Sequence, residues 1–159
     1  MVFEEKQKLS QWWIWIILIG TTLIPVYGIF QQIFLGKPFG NNPMSDVGLI
    51  IFLVAMIALD LFCWSITLRT RIDRESIKFE LSPLVKRDIK WDNVQKAEIV
   101  NYGFVGGFGI RAGSKYGTVY NASGKMGLAL VLKNGTKLCI GTQKEEDLKN
   151  FLLTINRNF

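Results

Sequence analysis

Histidine is absent from this chain, which removes the side chain most used as a general base near neutral pH and most used as a metal ligand. Cysteine is nearly absent too. Cys63 lies inside a long apolar run and Cys139 far downstream of it, so a disulfide framework is not expected and a reduced, cytoplasmic setting is. Formal charge is missing from residues 12–34, and residues 47–68 carry only Asp60. The second of these runs has no polar stripe at helical spacing, which excludes an ordinary soluble core helix. At about 1.5 Å per residue it reaches roughly 33 Å, enough for a hydrocarbon core of about 30 Å. Residues 12–34 lack the short apolar core and small-x-small site of a cleavable signal peptide, so they read as a retained first span.

The 159 residues, 49% of them hydrophobic, fit one domain plus a small membrane element. Only Lys6, Lys8 and Lys37 of the 19 Lys and Arg precede Arg69, as do Glu4, Glu5, Asp46 and Asp60 of the 13 Asp and Glu, which leaves 16 against 9 and a net +7 from Arg69 onward. Such an excess favours anionic partners, and it equally serves solubility and membrane orientation. The connector, residues 35–46, is dense in turn formers, with Ser45 and Asp46 suited to cap the second helix. The two spans therefore form an antiparallel hairpin. Lys6 and Lys8 share a side with Arg69, Arg71 and Arg74, while Lys37 in the connector is balanced by Asp46, so both termini are expected in the cytoplasm of a multi-pass inner-membrane protein. Trp12, Trp13, Trp15 and Trp64 fall near that same interface.

Within the spans Asp60 stands out, because an ionisable group at a helix centre costs about 3 kcal/mol on insertion scales. Counting from the span ends places it level with Gly20, Thr21 and Thr22, and Pro25 denies the Thr21 carbonyl its helical donor. The expectation is a polar lock in which the Asp60 carboxyl, protonated, donates to that carbonyl or to a Thr hydroxyl. A proton or ion relay is the rival role.

After residue 66 the pattern alternates. Ile66, Leu68, Thr70 and Ile72 oppose Thr67, Arg69, Arg71 and Asp73, so the span is expected to run straight into a first strand. Further strands are read at 76–81, 85–91, 94–102, 110–112, 118–123, 128–133 and 136–140, with Asn134-Gly135 as a tight hairpin turn. A capping box, Thr142 to Glu145, then opens a helix over residues 143–156 whose Leu148, Phe151, Leu152 and Ile155 form one apolar stripe. Residues 1–11 read as a short cytoplasmic lead, 12–68 as the transmembrane hairpin and 69–159 as the domain. The fold class is membrane α+β: an antiparallel barrel or sandwich with an amphipathic C-terminal helix behind a two-helix anchor.

The strand pair TRIDRESIKFELSP, the charged strand RDIKWDNV and the stretch from GFGIRAGSKYG to TQKEEDL resemble the small bacterial membrane proteins that carry a pleckstrin-homology-like (PH-like) domain. The resemblance covers roughly residues 68–159 and implies that fold, with no reaction attached. It carries over no phosphoinositide site, because no headgroup-binding basic motif matches residue by residue.

Several constellations remain. Arg69, Arg71, Arg74, Lys86, Arg87 and Lys90, with Lys78 among them, form a basic set for which lipid docking and simple solubility compete. The glycines of GFVGGFG, residues 103–109, fit no phosphate-loop spacing and read as a bulge or barrel corner. Arg111, Tyr116, Tyr120 and Asn121 are a candidate groove for a peptide or ligand, set against ordinary cross-strand pairing. No nucleophile has a recognisable partner, so no enzyme activity, cofactor or metal is expected, nor is nucleic acid. The expected function is a membrane-tethered interaction module that binds a protein partner, acts as a scaffold or self-associates. The alternatives are anionic-lipid sensing through the basic face and a place in a transport assembly.

Overall fold

A computed structural model describes residues 2–155, and it divides into two bodies: Gln11–Trp64, and Met1–Ser10 together with Ser65–Phe159. The smaller body is the helical hairpin. Helix α1, Trp12–Ile29, continues through a π-helical turn, Phe30–Phe34, and α2 spans Asp46–Ser65. Both helices are long and apolar enough to cross a membrane. Side chains such as Ile16, Ile17, Leu23, Ile51, Val54 and Leu61 are exposed along them.

Side-chain contacts hold the hairpin at three levels. The Trp15 and Trp64 rings meet edge to face, 5.6 Å between centroids. The Thr22 hydroxyl donates to Asp60 Oδ2 at 2.8 Å. At the closed end Gln32 Nε2 donates to the Met44 carbonyl at 2.8 Å and to Asp46 Oδ1 at 2.7 Å. Ser45 caps α2 as its sequence indicates, its Oγ accepting from the Gly48 amide at 3.2 Å.

Among the described residues the larger body has nine strands in two sheets and one α-helix. Strands β1 (Phe3–Lys8), β2 (Thr67–Ile72), β3 (Ser76–Ser82) and β4 (Val85–Lys90) make an antiparallel sheet in that order. A 3-10 turn, Trp91–Asn93, leads into β5 (Val94–Asn101), followed by β6 (Gly109–Ser114), β7 (Gly117–Asn121), β8 (Met126–Leu132), β9 (Lys137–Thr142) and α3 (Glu145–Thr154). The second sheet has the order β5-β8-β9-β7-β6. Leu68, Ile72, Ile77, Phe79 and Leu81 from the first sheet, and Leu128, Leu130, Leu138 and Ile140 from the second, share one core with Leu148, Phe151 and Leu152 of α3. The expected stripe on the terminal helix is thereby covered, with Ile155 packed at its edge. Residue 156 of the expected helix lies outside the described residues.

Four sequence readings need correction. Residues 1–11 are not merely a lead, because Phe3–Lys8 pairs along its whole length with β2, from Phe3 opposite Ile72 to Lys8 opposite Thr67. The second helix ends at Ser65 rather than at residue 68, and Leu68 is fully buried on a strand. The sheets are not wholly antiparallel: β9 lies between β8 and β7, so β7 runs parallel to it, with Val119 opposite Cys139. The capping box does not form, since α3 begins after Lys144 with no side-chain cap.

Glu5 takes the place of that box. Its carboxylate accepts from the Thr142 hydroxyl at 2.6 Å and from the Gln143 amide at 2.7 Å, while Thr142 Oγ1 accepts from the Lys144 amide at 3.0 Å. Beside it Gln7 Nε2 donates to the Gly141 carbonyl at 2.8 Å, and the Phe3 ring lies 6.3 Å from that of Phe151. Phe3, Glu5 and Gln7 are the buried positions of β1, and through them the first strand grips the end of β9, the Gln143 amide after it and Phe151 of α3. Glu5→Ala would leave a buried hydroxyl and an amide without their anionic acceptor, a loss of about 3 kcal/mol. Denaturant titration of the full-length chain in detergent, following the Trp91 environment, should show that loss, and Glu5→Gln should recover part of it.

Candidate functional site

Because strand side chains alternate, the outer face of the β1–β4 sheet is settled by register alone. It carries two cross-strand rows. One reads Glu4, Arg71, Lys78, Asp88, and the other Lys6, Arg69, Glu80, Lys86. In the first row each cation has an acid: Arg71 Nη1 lies 3.2 Å from Glu4 Oε1, and Lys78 Nζ 3.8 Å from Asp88 Oδ2. In the second, three cations share one carboxylate, and none of the three forms an ion pair among the described residues. These rows line a shallow trough of about 510 Å³. Uncompensated cations side by side on a sheet suit an anion that presents several oxygens to them at once.

The basic set read from sequence divides accordingly. Arg69, Arg71 and Lys86 share this face, and Lys90, opposite Ser76, continues it. Arg74 sits in the β2–β3 turn, where it lines a separate hollow with Lys90 and Asp92. Arg87 stands opposite Phe79, on the side that carries the core, and lines both the trough and a second hollow with Lys133 and Asn134. Lys6 was not foreseen as part of the set, because its strand has no apolar alternation to reveal it.

The turn beside this face is rigid. Asp73 Oδ1 accepts from the Glu75 and Ser76 amides at 2.9 and 2.8 Å, and these bonds hold its carboxyl below the usual carboxylate range. The Trp91 indole donates to the Asp73 carbonyl at 2.8 Å, tying the turn to the core.

Arg111, Tyr116, Tyr120 and Asn121 do not form one groove. Tyr120 is buried against Phe79, 4.8 Å between ring centroids, whereas Asn121 points to the other side of the sheet, its Nδ2 3.4 Å from Tyr102 Oη. Arg111, opposite Val119, is on Asn121's side, and Tyr116 belongs to the β6–β7 turn. That outer side carries a second apolar cluster of Tyr102, Val119, Ala129 and Cys139. Burial raises the Tyr102 phenol above its ordinary value and pushes the Cys139 thiol up to about 12. Alkylation at mildly alkaline pH should therefore leave Cys139 unmodified in the folded chain and label it rapidly in denaturant, as peptide mass mapping would show. The glycine stretch supplies left-handed backbone at Gly103, Gly106 and Gly107 and runs into β6 rather than a helix, which makes it a corner and not a phosphate loop.

In the hairpin, Thr22 rather than Thr21 meets Asp60. The Thr21 hydroxyl turns back to the Ile17 and Leu18 carbonyls, both at 2.9 Å. Asp60 Oδ1 has no hydrogen-bond partner among the described residues. Thr22→Val should weaken the helix pairing by about 1 kcal/mol, measured by unfolding in mixed detergent micelles, while Thr21→Val should leave it unchanged. Among the described residues no group of His, Cys, Asp or Glu is placed to hold a metal.

Compared with known proteins, the chain matches no protein-family model and no curated protein, so the functional argument rests on the geometry of this basic face.

Proposed function

We propose that the chain is a membrane-tethered, PH-like interaction module at the cytoplasmic face of the inner membrane, and that its outer β1–β4 surface engages anionic lipid headgroups. The observation that carries this reading is the row Lys6, Arg69, Lys86, whose three cations have no ion-pair partner among the described residues. Lys6 stands six residues before Trp12 and Arg69 four residues after Ser65, so two of the three cations are close in sequence to the ends of the apolar helices. Near an anionic surface each such charge contributes about 1 kcal/mol, or roughly a hundredfold for three together.

The cytoplasmic orientation draws support from Lys6, Lys8, Arg69, Arg71 and Arg74 outside the two spans, against Lys37 and Asp46 in their connector. The PH-like reading draws support from two sheets sharing one core with a terminal helix. Binding of a protein strand at a sheet edge has less behind it. The β4 edge is studded with Lys86, Arg87, Asp88 and Lys90, the charges that guard edges against pairing, and β1 is committed through its buried side chains to β9 and α3. A transport role for Asp60 competes with its bond to Thr22, which supports the structural lock.

The test uses the full-length chain in nanodiscs that contain a photoactivatable phosphatidylglycerol. Crosslinks should map to the β1 and β2 peptides, fall about a hundredfold in the Lys6→Gln, Arg69→Gln, Lys86→Gln variant, and weaken as salt is raised. Labelling that ignores both the substitutions and the salt would refute the lipid reading.

A further inference from the structure

The opposite sheet has a cationic hollow of its own, walled by Lys96 and Glu98 of β5, Lys137 of β9, and Lys115 and Tyr116 of the β6–β7 turn, over a floor that includes Ala129; its volume is about 250 Å³. Register explains the wall: Lys96 lies opposite Val131 and Val131 opposite Lys137, so two lysines flank one valine on the same face. Their strands are two sheet spacings apart, about 10 Å. Glu98 is spoken for, at 2.8 Å from Lys96. That leaves Lys115 and Lys137 without a carboxylate among the described residues.

The turn that delivers Lys115 and Tyr116 is pinned in place. Ser114 Oγ donates to the Gly117 carbonyl at 2.8 Å and accepts from the Tyr116 amide at 3.2 Å. Gly117, at φ +79°, comes so close to the Lys137 carbonyl that any Cβ would collide with it, so the turn closes directly onto β9. Lys115 Nζ then sits 4.8 Å from the centroid of the Tyr116 ring, and the ring packs against the apolar cluster around Val119 and Cys139. The result is a hollow whose wall includes the exposed Lys115 and Lys137 and whose turn is held in place.

We propose that this hollow is a binding site for a small phosphate monoester, its phosphoryl oxygens held by Lys115 and Lys137 and its organic body set on Ala129 and Val131. A dianion matches the two uncompensated charges, and a volume of about 250 Å³ limits the site to a small ligand. The site lies on the second sheet and does not depend on the lipid-binding face.

The experiment titrates phenyl phosphate, with inorganic phosphate alongside, into the full-length chain in wholly zwitterionic nanodiscs and reads the amide and methyl signals of residues 114–117 and Ala129. Saturable shifts are expected, stronger for the ester. Lys115→Ala with Lys137→Ala should lower affinity by at least about tenfold with the strand signals intact. Ser114→Ala, which only loosens the turn, should weaken binding less, and the Lys6, Arg69, Lys86 variant should leave it unchanged. The proposal is overturned if no saturable binding is seen, if the Lys115 and Lys137 substitutions have no effect, or if the Lys6 variant abolishes binding instead. It is equally overturned if phosphatidic acid in the disc shifts these signals and the soluble ester does not.

Discussion

The architecture of the larger body depends on how β1 is held. Phe3, Glu5 and Gln7 bind Phe151 of α3, the end of β9 and the Gln143 amide just after it, while the same strand pairs edge-on with β2. Residues 3–8 thus join the first sheet to the second and pack against the terminal helix through Phe151. Since β1 and β2 are adjacent antiparallel strands, the apolar hairpin is an insertion in what would otherwise be a β-hairpin. The chain must fold its domain from segments on both sides of that insertion. A fragment starting at Arg69 would lack β1 and the first residues of β2, and with them the acceptor for Thr142 and Gln143.

Charge is arranged by the same register. Alternation sends Phe79 and Leu81 inward and Lys78 and Glu80 outward, so one strand builds the core and the basic face at once. Where a row ends in acids, at Glu4 and Asp88, the cations are neutralised within the sheet. The next row lacks such ends, and its three cations form no ion pair among the described residues. The second sheet repeats the device with lysines around an apolar floor.

Much of this was legible in the sequence. The strands from β2 to β9 follow from alternation and turn residues, and Asn134-Gly135 forms the expected turn, with Gly135 at φ +82° and Asn134 Oδ1 accepting from the Thr136 amide at 3.0 Å. The stripe on α3 was legible because its spacing is helical and its other face is charged. β1 was not, because its inward positions beyond Phe3 are Glu5 and Gln7, polar residues whose burial depends on partners more than 130 residues away. The parallel β7–β9 pairing escaped for a related reason: alternation identifies a strand's faces and says nothing about its neighbour. The four-residue groove failed on a point that alternation does cover, since adjacent strand residues Tyr120 and Asn121 point to opposite sides.

Hydrogen exchange on the full-length chain in lipid nanodiscs tests most directly whether the N-terminal residues and the segment after the hairpin are one folded body. The amides that β1 gives to β2 should exchange as slowly as those between β2 and β3, and slow and speed up together with them in added denaturant. Exchange of residues 3–8 at the rate of a free peptide, while β2 to β4 stay protected, would contradict the account.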